Sequence, residues 1–203
     1  MVSHGTILPF MDLDVRPIPK PQRKRAVFAA FANLAVGESF VLVTNVEPGP
    51  LRAEFDDDQY GASSWVYLER GPVWRIRVTR TASTPLPRVL TDTRALAQEH
   101  DADASGAVFR LTMGNRDLDS NVIALPPHGT IGEHVGPDLD VLLHVIAGDG
   151  TLATEDGEVA LAPGALVWLP KRSRRQFTAG AEGLRYLSVH QRKPGLGLTR
   201  RPW

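Results

Sequence analysis

The residue types able to bind a metal, move a proton or hold an anion gather in one stretch, Leu125 to Phe177, which contains His128, His134, Asp140, His144 and Arg175. A catalytic first-row metal needs three convergent ligands, commonly imidazoles and a carboxylate, with an open position for water or substrate. Arginine cannot join such a set, because its guanidinium is protonated at any biological pH and has no lone pair to give. It can instead grip a carboxylate or similar anion through paired hydrogen bonds. Metal-assisted catalysis and anion recognition are thus the two chemistries this stretch could perform.

Short apolar runs, Asp140 to Ile146 and Gly164 to Leu169, alternate with Gly, Pro and Asp at roughly 8 to 12 residue spacing, the pattern of antiparallel strands in a sandwich or barrel. Strands at 107–112 and 118–125 would enter this body and Leu184 to Gln191 would close it, for about eight or nine strands in all. Ala147-Gly148-Asp149-Gly150 reads as a hairpin turn. Positions 140, 142 and 144 share one side of a strand, so His144 joins a site if that side faces inward. Its setting, VLLHVIA, equally suits a core or interface histidine. His128 follows Pro-Pro and precedes Gly, as a turn residue does. His190 ends the alternating run LRYLSVHQR and reads as capping an exposed edge, while His4 and His100 carry no signal.

The spacing Gly164, five residues, Pro170 resembles the second signature of the cupin superfamily. Counting on from Pro170, the Gly of that signature falls at Arg172, its metal-binding His at Arg175 and its closing Asn at Ala179. In the first signature, His134 fits the first His, Gly136 stands for the second and Asp140 falls near the acid. The resemblance implies an all-β jelly-roll barrel with a degenerate metal site: a metal, if present, would take His134, Asp140 and His144. With a guanidinium where an imidazole would stand, Asp140 and Arg175 are expected to form an ion pair. The run Lys171-Arg172-Ser173-Arg174-Arg175 would lie at the cavity mouth. His134, Asp140, His144 and Arg175 are therefore the candidate ligand-pocket residues, and no catalytic residue is assigned.

The chain of 203 residues has room for two domains of about 80 to 100 each. With 42% hydrophobic and 23% charged residues, it has a soluble, globular composition. Lys plus Arg equals Asp plus Glu at 23 each. Up to residue 80 there are 10 basic and 9 acidic residues, and beyond it 13 and 14, so neither half steers the chain to nucleic acid or an acidic membrane. The absence of cysteine excludes disulfides, thiolate metal sites and cysteine nucleophiles. No apolar run approaches 18 residues and the N-terminus does not read as a signal peptide, so the expectation is a cytoplasmic protein.

Residues 11–80 read as an α+β unit of order β-α-β-α-β-β: a strand over Met11 to Arg16, a helix over Gln22 to Leu34, a strand over Glu38 to Asn45, a short helix over Leu51 to Asp58, and a hairpin of Ser64 to Glu69 with Val73 to Arg80. Leu13-Asp14-Val15-Arg16, the prolines Pro17, Pro19 and Pro21, Gly37-Glu38 and the run Trp74 to Arg80 resemble the domain-of-unknown-function family number 2249, itself similar to the TusA-like sulfur-carrier fold. Sulfur carriers use a Cys in the turn before the first helix; here that turn holds Pro19, Lys20 and Pro21, so no persulfide can form. Lys20, Arg23, Lys24 and Arg25 cluster at the start of this helix, against its dipole, as a solvated face or an anion site. Trp65 and Tyr67 are expected across from Arg75 and Arg77, as cation-π pairs on an exposed sheet. Residues 81–105 read as a linker with a short helix at Thr91 to Glu99, 106–191 as the barrel and 192–203 as a basic C-terminal tail.

These features favour a binding or regulatory protein whose barrel pocket recognises a small, anionic metabolite. The α+β domain would be an interaction module for another protein, and the barrel would pair as a homodimer. No cofactor is expected on this reading. The alternative is a metal-dependent cupin enzyme of dioxygenase or isomerase type with an unusual ligand set, and a third reading is a structural homodimer with no pocket in use.

Overall fold

The computed structural model describes residues 11–98 and 104–192. His4, His100 and nearly all of the C-terminal tail lie outside them. The chain divides into two compact units between Val89 and Leu90. No helix among the described residues is long and apolar enough to cross a membrane.

The first unit runs β1 (Met11–Asp14), α1 (Lys20–Ala32), β2 (Ser39–Thr44), α2 (Gly49–Asp58), β3 (Ser63–Glu69) and β4 (Trp74–Arg80). Its sheet has the order β1-β2-β4-β3, with β1 parallel to β2 and the other pairs antiparallel. A parallel pair needs a crossover, which α1 supplies. Val27 and Phe31 of α1 and Phe55 of α2 are buried with Phe40, Leu42, Ile76 and Val78 of the sheet. Phe55 is the hub, with its ring centroid 4.7 Å from Phe31 and 5.4 Å from Trp65.

One expectation for this unit is corrected. Trp65 pairs with Val78 and Tyr67 with Ile76, whereas Arg77 faces Val66. Strand alternation thus puts the aromatics under the helices and the arginines on the other face, with no exposed aromatic and basic platform. The start of the stretch read as a linker packs back on this unit, where the N–H groups of Thr81 and Leu86 donate to the carbonyls of Ala62 and Tyr60. Arg88 pairs with Asp57 at 3.3 Å and its guanidinium lies over the Tyr60 ring.

Among the described residues, the second unit comprises α3 (Thr93–Gln98) and seven strands: β5 (Gly106–Arg110), β6 (Leu118–Leu125), β7 (Thr130–Val135), β8 (Val141–Thr154), β9 (Gly157–Leu161), β10 (Leu166–Leu169) and β11 (Arg174–Gln191). They form one sheet in the order β10-β8-β11-β6-β5, with β7 also on β11 and β9 also on β8. The long β11 therefore pairs with three strands and gives the sheet its barrel-like curl. Arg185 donates to the carbonyls of Leu96 at 2.8 Å and Ala97 at 2.7 Å, capping the C-terminal turn of α3.

The strand count falls below the expected eight or nine because β8 and β11 are continuous where turn signals suggested breaks. The 147–150 segment is no hairpin turn but the middle of β8. Its glycines let two strands cross closely. A Cβ on Gly148, whose φ is +71°, would lie 2.1 Å from the Gly183 carbonyl oxygen, and one on Gly150 would lie 2.3 Å from that of Thr178. Opposite this bend, β11 bulges: Ala179 pairs with Gly150 and Leu184 with Gly148, leaving 180–183 outside the ladder.

Candidate functional site

Alternation along three strands decides which side chains face the interior of the second unit. On β8, Val141, Leu143 and Val145 are buried, while Leu142 and His144 are exposed. On β11, Arg175, Phe177 and Ala179 point inward before the bulge, and Leu184 and Tyr186 after it. On β7, His134 is the ladder partner of Arg175. Together they enclose a cavity of about 210 Å³ lined by His134, Pro137, Arg175, Phe177, Tyr186, Ser188 and His190 with a wall of Ile, Leu and Val side chains.

Arg175 dominates this cavity. Its residue exposure is 6%, and among the described residues its guanidinium meets no carboxylate, only the Ser173 hydroxyl at 3.4 Å. The guanidinium lies against the bare backbone of Gly136, where an added Cβ would come within 2.6 Å of its Cζ. Two of the three positions that the resemblance assigns to imidazoles are thus one glycine and the arginine filling the space beside it. Burial draws the pKa of Arg175 down, partly offset by Tyr186. Burial also pushes the Tyr186 phenol up to about 12, so it stays a hydrogen-bond donor. Its ring stacks on Phe177 with centroids 5.4 Å apart.

Both cavity histidines are oriented by their own strands. Nδ1 of His134 is 2.9 Å from the Gly132 carbonyl oxygen, and Nδ1 of His190 is 2.9 Å from that of Gln191. A carbonyl only accepts, so each Nδ1 carries a proton and each Nε2 is left for another partner.

The candidate residues therefore part company. His134 and Arg175 share the cavity. Asp140 does not line it: the side chain is exposed and its Oδ1 accepts the N–H of Lys171 at 2.9 Å, so the expected Asp140–Arg175 ion pair is replaced by a turn contact near the mouth. His144 lies on the outer face, where it lines a shallow apolar hollow with Leu142, Leu166, Leu187 and Val189. The register explains this, since inward Leu143 leaves its neighbour His144 no choice but outward. The set His134, Asp140 and His144 is thus not assembled. Among the described residues, no three His, Asp or Glu side chains are placed to hold a metal ion. The donor chemistry does not fit a catalytic metal, because the best-buried group at the site is a cation without a lone pair.

Sequence reasoning missed Tyr186 and Ser188, and could not place His190. Their signal is the alternation of LRYLSVH, but Leu187 and Val189 on the other face are as apolar as the inward set. His190 is half-buried and lines the cavity rather than capping an open edge. Arg172 retains a trace of the signature glycine at its position: it is one of two described non-glycine residues with positive φ, at +60°.

Residues 12–80 match the model of a family described as an uncharacterized conserved protein, DUF2249. No curated protein matches the chain. Among solved structures it is similar to a cupin-2 domain containing protein from Shewanella frigidimarina, at 15% identity and a TM-score of 0.40, over 51% of this chain and 95% of that one. A Bacillus halodurans protein is similar at 16% identity and a TM-score of 0.42, over 54% and 84%. A protein from Silicibacter pomeroyi, described as a sugar phosphate isomerase from a cupin superfamily, is similar at 20% identity and a TM-score of 0.38, over 45% and 71%. The chain thus resembles DUF2249 in its first unit and cupin domains in its second.

Proposed function

We propose that the second unit is a metal-free binding barrel for a small carboxylate or similar anion, held by Arg175 with a hydrogen bond from Tyr186, with His134 and His190 lining the same cavity. The observation that carries this reading is the burial of Arg175 in a cavity without a carboxylate partner. Burying a charge is costly unless it is paired, so the free protein keeps an unmet demand for a negative group at this point. The volume equals roughly seven waters at about 30 Å³ each, which limits the ligand to a small metabolite. The first unit, TusA-like in outline, serves as an interaction module; a chain with no cysteine cannot relay sulfur through a thiol.

A second copy of the chain is the proposed partner of the barrel's outer face. Trp168 is 64% exposed and Leu166 65%, beside Leu142, His144, Leu187 and Val189, and a contiguous apolar surface of this kind marks an association site. Being one patch on each molecule, it suits a two-fold dimer.

Calorimetry with pyruvate, succinate and inorganic phosphate, and with pyruvamide and succinamide as uncharged controls, tests the pocket. We expect saturable binding of at least one anion and of neither amide. Arg175→Gln should weaken that binding at least about tenfold, as loss of a hydrogen-bonded charge does. Equal binding by the variant overturns the reading. So does near-stoichiometric Fe, Mn, Zn, Ni or Cu in untagged protein that disappears in His134→Ala.

A further inference from the structure

The first unit has a cavity of its own, of about 360 Å³, which neither the barrel reading nor the family description uses. It lies where the parallel strands β1 and β2 end and α1 and α2 begin. Its accessible wall is apolar, made by Val46, Pro50 and Leu51 over the buried side chains of Val15 and Leu42. The rim is charged: Lys20, Arg23 and Lys24 come from the first turns of α1, Glu47 and Glu54 from the loop before α2 and from α2 itself.

These five charges are not equivalent. Lys24 Nζ lies 2.5 Å from Glu54 Oε2, so that pair cancels. Arg23 is committed to the chain, donating to the carbonyls of Ile18 at 2.8 Å and Arg16 at 3.0 Å and to Asn45 Oδ1 at 3.3 Å. Glu47 is exposed, and Lys20 has no partner among the described residues. Neither helix softens the local field. Pro19 and Pro48 occupy the cap positions without a side-chain hydrogen bond, and neither first turn holds an acid. Two uncapped helix starts and Lys20 thus border one apolar hollow, and cations at a helix N-terminus are unfavourable until an anion sits among them.

We propose that this cavity binds a small amphipathic anion, a carboxylate with an aliphatic tail of about eight carbons. The tail rests on Val46, Pro50 and Leu51, and the head group meets Lys20. Apolar wall and cationic rim are complementary to the two ends of such a molecule, and the volume equals roughly twelve waters, enough for both. The site is independent of Arg175 and of the barrel reading.

Octanoate titrated into the full chain and followed by amide chemical shifts tests it. We expect saturable shifts confined to residues 15–24 and 42–54. Lys20→Glu should weaken octanoate at least about fivefold and Glu47→Gln should not weaken it. Octanol should bind at least fivefold less tightly than octanoate, and inorganic phosphate should not saturate the site. Arg175→Gln should leave octanoate binding unchanged. Lys20 is exposed, so its variant should keep the wild-type shifts elsewhere, which confirms folding. The proposal is overturned if octanoate shifts do not saturate, if they fall instead on the barrel, if Lys20→Glu binds as well as wild type, or if phosphate alone binds as tightly.

Discussion

On the proposed reading, Arg175 couples stability to anion binding in opposite directions. A cation held at 6% exposure without a counter-charge weakens the fold it serves, so Arg175→Met should raise unfolding free energy by about 1–3 kcal/mol in urea titrations while abolishing anion binding. A less stable variant would mean that Ser173 and Tyr186 already compensate the charge. Tyr186 gives a second handle, on the alkaline side. Its phenol titrates at about 12 in the folded chain against an ordinary 10.0, so the folded state holds its proton when the unfolded chain has lost it. Stability is therefore full below pH 10 and falls as pH rises through 12, by about 1 kcal/mol at pH 11 and nearly 3 kcal/mol in all. Tyr186→Phe should remove that slope, read as the difference in urea midpoint between pH 8 and pH 11. That Arg175 cannot be a metal ligand was legible in the sequence, because a guanidinium has no lone pair to give whatever the geometry. The places of Asp140 and His144 were not, since one residue of strand register decides each, and register is set by partners distant in the chain.

At the scale of elements, β8 and β11 are the pair on which the cavity depends, and glycine is what lets them cross. Gly148→Ala would combine positive φ with a backbone oxygen 2.1 Å from the new Cβ, and should cost at least about 2 kcal/mol of stability. Thermal unfolding checks this, and a loss below about 0.5 kcal/mol would show that the crossing can relax. Gly157, also at positive φ but with nothing near its Cβ, is the matched control. The glycine cluster was visible in the sequence and its meaning was not: a turn and a bent strand need the same left-handed backbone. The helices and strands of the first unit were legible to within a few residues, since their apolar periodicity is locally encoded. Its open sheet face was read wrongly for the reason that hid the barrel register, alternation without a known origin.

For the whole molecule, length allowed one domain or two, and the boundary between Val89 and Leu90 depends on contacts no local pattern announces. Arg88 reaching Asp57 is one of them. Association is the property to measure at this scale. Trp168→Glu places a charge in the exposed outer strip and should turn a dimer into a monomer in sedimentation equilibrium, with anion binding retained, because Trp168 does not line the cavity. A wild-type monomer at all concentrations would remove the dimer from the proposal and leave the pocket standing.

The bulge at 180–183 has an arithmetic consequence. Inward residues on β11 carry odd numbers before it, 175, 177 and 179, and even numbers after it, 184, 186, 188 and 190. In an uninterrupted strand Arg175 and Tyr186 would stand on opposite sides and could never share a ligand. The bulge is a parity switch. Because it lies outside the pairing with β8, each half of the strand keeps its own count, and the two halves can present Arg175 and Tyr186 to one cavity.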